Sequence, residues 1–66
     1  MNYRAIYRDA FNLHAERSSH LNEPDFWDRT CEQLTTLALK YENAPFCIDL
    51  LVCIHAELER QASNVR

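Results

Sequence analysis

Three features of the sequence predict an all-α fold, a three-helix antiparallel bundle. Residues 45–58, PFCIDLLVCIHAEL, have Asp49, His55 and Glu57 as their only clearly polar members, so a helix there must be covered on more than one side. Two earlier stretches, 2–17 and 23–42, repeat their apolar residues at helical spacing. The connections, near 18–22 and 42–44, are short enough to make consecutive helices antiparallel neighbours.

The first helix is expected over 2–17. Tyr3, Ile6, Tyr7, Ala10, Phe11, Leu13 and His14 fall on one side, and Arg4, Arg8, Asp9, Asn12 and Glu16 on the other. His14 sits among the apolar residues. A ligand or proton-switch role is conceivable there, but a boundary histidine with one satisfied nitrogen is the simpler reading. Arg4 and Arg8 are too few to track a phosphate backbone and read as a solvated face.

The second helix is expected over 23–42, with Asn22 as N-cap, Pro24 in the first turn and Asp25 returning a capping-box bond. Leu21 and Phe26 have the spacing of a hydrophobic staple. Phe26, Trp27, Thr30, Cys31, Leu34, Leu37, Ala38 and Tyr41 make its inner face; Asp28, Arg29, Glu32, Gln33, Thr36 and Lys40 make the outer one. Leu39 is the apolar exception on the polar side. Asp25 and Arg29 are correctly ordered for an i,i+4 ion pair.

Asn43 is the natural left-handed residue after this helix in a chain that has no glycine, and Ala44 before Pro45 is pushed out of the helical region. The third helix is expected over 45–61, with 62–66 fraying. Phe46, Cys47, Leu50, Leu51, Ile54, Leu58 and Ala62 share its broad apolar face, and Ile48 and Val52 lie beyond the edge. Trp27 and Leu50 are expected to be buried, and Arg4, Arg8, Glu32 and Lys40 exposed.

Sixty-six residues make one domain, 1–66. A core of this size rarely supplies more than about 3–5 kcal/mol without a staple, metal or partner. The net charge of −3 argues against broad binding to nucleic acid or an anionic membrane. No apolar run has the length of a transmembrane helix or the form of a signal peptide, so the expectation is a soluble, cytoplasmic protein. The lack of glycine removes the phosphate-binding loops, the nucleophile elbow and the dinucleotide fingerprint together. No enzymatic activity is expected.

Three cysteines and three histidines invite a zinc site, but no pair has ligand spacing: Cys47 and Cys53 fall on different sides of one helix, and His55 points away from Cys53 and Glu57. No metal and no cofactor are expected, and the cysteines read as free thiols. Cys31 or Cys47 with His14 across the bundle lacks any local support as a nucleophilic site.

Two surface sets remain as candidate protein-binding residues. Ile48, Val52, His55 and Glu59 form one stripe, apolar at its start, which an otherwise closed bundle leaves without a partner; it would pair with a second copy or with a target. Glu23, Asp25, Asp28 and Glu32 line the front of the second helix and could imitate phosphates, although capping and solvation account for them as well.

IYRDAFNLH at 6–14, FWDRTCEQL at 26–34, KYENAPFCIDLL, and ELER at 57–60 resemble small helical proteins carried by phages and mobile elements of Firmicutes. The resemblance rests on packing residues and the Asn-Ala-Pro-Phe turn. It implies an accessory product that acts by binding another protein, such as an anti-CRISPR-like inhibitor of a host nuclease effector. The alternatives are a DNA-binding or transcriptional accessory domain, whose expected basic recognition helix is missing, and a structural or regulatory homodimer.

Overall fold

The computed structural model describes residues 2–64 and contains α1 (Tyr3–Ser18), α2 (Phe26–Lys40) and α3 (Pro45–Asn64). All three helices pack on one another. Asp9 meets Lys40 and Tyr41 while Arg17 meets Phe26, so α1 and α2 are antiparallel. Tyr3 and Tyr7 stack on Phe46 and His14 reaches Gln61, so α1 and α3 are parallel. Each short connection reverses the chain once, and the result is the expected all-α three-helix bundle.

The helix ends show which local signals operate. Asn2 caps α1, its Oδ1 accepting from Ala5 N at 3.0 Å. The expected start of α2 is corrected: the helix begins at Phe26, and Asp25, not Asn22, occupies the N-cap position without a side-chain capping bond. The Asp25 carboxylate is taken by Arg29 Nε at 2.6 Å. Residues 20–26 wind as tight turns instead, with Glu23 N donating to His20 O at 3.1 Å and Phe26 N to Glu23 O at 3.0 Å. Leu21 still packs against the core that holds Phe26.

The end of α2 is a Schellman turn, with Asn43 N donating to Ala38 O at 2.8 Å and Glu42 N to Leu39 O at 3.0 Å. Asn43 is left-handed as expected (φ 57°), but Glu42 is left-handed too (φ 56°). With no glycine available, a glutamate takes the position that glycine usually fills. Pro45 opens α3, which continues past 61 to Asn64; of the residues expected to fray, 65 and 66 lie outside the described ones.

The core holds Ile6, Ala10 and Leu13 from α1, Phe26, Thr30, Leu37 and Ala38 from α2, and Cys47, Leu51, Ile54 and Leu58 from α3. The face of α1 is rotated from the expected one. Its inner row is Ile6, Ala10, Leu13 and Arg17, whereas Tyr3, Tyr7 and Phe11 are 54%, 56% and 71% exposed. The apolar arc from Leu13 round to Phe11 spans about 160° at 100° per residue, wider than two neighbours cover. The bundle buries the arm of the arc that ends in Arg17 and leaves the rings, two with hydroxyls that favour water, along the seam with α3.

The same geometry corrects three further positions. Trp27, expected inside, is 38% exposed, and Cys31 is also exposed. Trp27 lies over the α2/α3 seam against His55, whereas Cys31 faces outward beside Asp28, Glu32, Thr35 and Thr36. Leu50 is only half-buried, on the flank of α3 that faces α1. Arg4, Arg8, Glu32 and Lys40 are exposed as expected.

Candidate protein-interaction surfaces

Between α2 and α3 runs an open groove of about 270 Å³ lined by Leu34, Thr35, Ala38, Ile48, Leu51, Val52 and His55. It exists because Thr35 and Ala38 are small where α2 faces the stripe on α3. The stripe divides along its length. Ile48 is half-buried and packs against the core, while Val52, one turn on, is 62% exposed. His55 Nδ1 stands 3.1 Å from Glu59 Oε1. The His55 ring also lies 5.2 Å from that of Trp27, tilted by 44°, and Trp27 meets Phe26 edge-on at 4.8 Å. The structure therefore brings Ile48, Val52, His55 and Glu59 together and adds Trp27, expected inside, at the rim.

The acidic set occupies a different surface. Glu23 pairs with the His20 ring and Asp25 with Arg29. Asp28 and Glu32 stay exposed on the outward side of α2, beside the Arg29 that divides the group. Glu23, Asp25, Asp28 and Glu32 thus do not converge with the stripe on α3, and Glu23 and Asp25 already have partners in His20 and Arg29.

A second apolar surface follows the α1/α3 seam, where Tyr3, Tyr7 and Phe11, expected on the inner face, are exposed. Tyr3 and Tyr7 stand edge-on to Phe46 at 5.1 and 5.3 Å, with interplanar angles of 84° and 76°. Phe11 continues the row one turn on. The signal available in the sequence was the width of the apolar arc on α1.

Polar groups in the interior are paired, and they join helices. Arg17 is 2% exposed; its Nη1 donates to Phe26 O and Thr30 Oγ1, both at 3.4 Å, and its Nε and Nη2 grip Glu16 at 3.2 and 3.4 Å. The Arg17 bonds hold the Glu16 carboxyl below its usual range. Asp9, its side chain 16% exposed, accepts from Lys40 Nζ at 2.8 Å and Tyr41 OH at 2.5 Å. Those two bonds hold the Asp9 carboxyl down to about 2 and push the Tyr41 hydroxyl and the Lys40 ammonium up. His14 Nε2 meets Gln61 Oε1 at 2.9 Å, a boundary histidine with a satisfied nitrogen.

Cys47 is fully buried, and burial pushes its thiol up; Cys53, like Cys31, is exposed, and all three are unbridged. Among the described residues, His, Cys, Asp and Glu nowhere gather in threes that could hold a metal ion. No helix among them is long and apolar enough to cross a membrane. No protein-family model matches the chain, and neither a curated protein nor a solved structure matches it.

Proposed function

We propose that this chain is a small non-enzymatic protein-binding module whose α2/α3 groove receives an apolar helical segment of a target protein. The observation that carries this reading is the open apolar groove with Val52 62% exposed on its α3 side and Trp27 at its rim. An exposed valine and a partly exposed tryptophan beside a trough between two helices suit recognition by helix-in-groove packing. Tryptophan is also the residue type that most often dominates such an interface. His55 and Glu59 supply a polar margin to fix register. Inhibition of a host defence complex such as a CRISPR effector, the role implied by the resemblance to phage and mobile-element proteins, is one such binding task. The DNA-binding alternative is supported less well, since α3 carries one arginine, Arg60, which is bonded to Glu57 at 2.9 Å.

Capture from a bacterial lysate on immobilised chain, with Val52→Glu and Trp27→Ala in parallel, is the test. A protein retained by the native chain and lost from both variants, at unchanged helical circular dichroism, supports the groove. Retention that neither variant alters overturns it.

A further inference from the structure

We infer that the aromatic seam between α1 and α3 pairs with the same seam of a second copy, about a two-fold axis parallel to the helices. The seam shows apolar surface along its whole first half: Tyr3, Tyr7 and Phe11 are more than half exposed, and Phe46 is half-buried between the helices. Over the first half of the seam its two edges carry opposite charge; further along, the Asp49 edge also carries Arg60, which is bonded to Glu57. Arg4 and Arg8, both exposed, flank Tyr7 and Phe11 on the outer side of α1, Arg8 with its Nε 3.3 Å from Asp9 Oδ1, and exposed Asp49 lies one turn beyond Phe46 on the outer side of α3.

The parallel arrangement of α1 and α3 puts these charges at one level. Tyr3 and Tyr7 meet Phe46, and His14 and Ser18 meet Gln61, so Asp49 lies at the height between Arg4 and Arg8. Rotation about an axis along the seam sets α1 of one copy against α3 of the other at the same height. Each Asp49 then faces the arginine edge of the partner copy, twice over, and Phe11 is laid on the partner's α3. A two-fold perpendicular to the helices would instead set α1 against α1, and arginine edge against arginine edge. The charges choose the first arrangement.

The area fits a reversible dimer. Rings that bury 150–250 Å² each when covered leave on the order of 350 Å² among Tyr3, Tyr7 and Phe11. The flanking stems raise this to roughly 500–700 Å² per copy, against about 800 Å² for a stable interface. The pairing leaves the α2/α3 groove open, so a dimer would present two grooves.

Sedimentation equilibrium over a wide concentration range tests the pairing. The weight-average mass of the native chain is expected to rise from 7.8 kDa towards twice that value. Phe11→Ser and Asp49→Arg, both at exposed positions, are expected to remain monomeric with native circular dichroism, and Arg4→Asp combined with Asp49→Arg to restore association. A native chain that stays monomeric at millimolar concentration overturns the inference. So does association that survives Phe11→Ser, or a charge exchange that fails to restore it.

Discussion

Arg17 in the last turn of α1 reaches the first residue of α2: its guanidinium lies 5.5 Å from the centre of the Phe26 ring and donates to the Phe26 backbone oxygen. The contact joins the two helices on either side of the turns at residues 19–25, and Thr30 receives a second bond from the same nitrogen.

Truncation of this side chain removes packing as well as charge, since the arginine stem fills core volume. Arg17→Ala is expected to lower stability by about 2–4 kcal/mol. Arg17→Met, which keeps the volume, should stay within about 1 kcal/mol of the native chain, because its ion-pair partner Glu16 is half-exposed and a buried charge adds little over an apolar isostere. Urea denaturation of both variants measures the difference. Equal losses in the two would show that the charge, not the packing, holds the junction.

Asp9 gives the bundle an acid limit. Its folded-state pKa of about 2 lies below the ordinary 3.8, so its stabilisation is complete above about pH 4 and is lost as pH falls through about 2. Because Lys40 is 55% exposed, the Coulombic share is screened, and about 1–2 kcal/mol is the expected size. Thermal melts between pH 5 and pH 2 should fall more steeply for the native chain than for Asp9→Asn. Parallel profiles would remove Asp9 from this role.

Glu42 sits in the left-handed region at the C-terminal turn of α2, where a side chain with Cβ is penalised. Glu42→Gly is expected to stabilise the protein by about 0.5–1 kcal/mol, net of the added freedom of the unfolded chain. A melting temperature that falls instead would mean the glutamate makes a compensating contact.

Leu51 and Val52 are adjacent and should behave oppositely. Leu51 is 6% exposed, and Leu51→Ala is expected to cost about 2–5 kcal/mol. Val52→Glu, on the open side, should stay within about 0.5 kcal/mol. Leu50→Ala, at a half-buried site, should fall between the two. Chemical denaturation that ranks Val52→Glu with Leu51→Ala would place Val52 in the core.

The sequence made the number of helices legible because period and punctuation agree: the run after Pro45 is apolar on both flanks, and Asn43 and Pro45 break the chain where α2 ends. The phase of each helix was harder to read. On α1 the rings of Tyr3, Tyr7 and Phe11 outweigh Ile6, Ala10 and Leu13 in bulk, yet close packing selected the smaller residues and an arginine. Trp27 was misplaced by the same rule, since large apolar residues beside the buried row can cover a seam without entering it. The capping residues before α2 were misread because Asp25 has two possible partners and Arg29 wins. The exposure of Val52 was legible because it lies beyond the apolar arc of α3, whereas Ile48 beside it is half-buried against the core.

Since α1 and α3 run parallel, the chain enters the bundle at one pole and leaves it at the other. The 20 residues of α3 alone separate these poles by about 30 Å. Proteins fused at Asn2 and Asn64 would be held apart as by a short rod, and a circular permutant would need a linker on the order of ten residues to return across the length of the bundle.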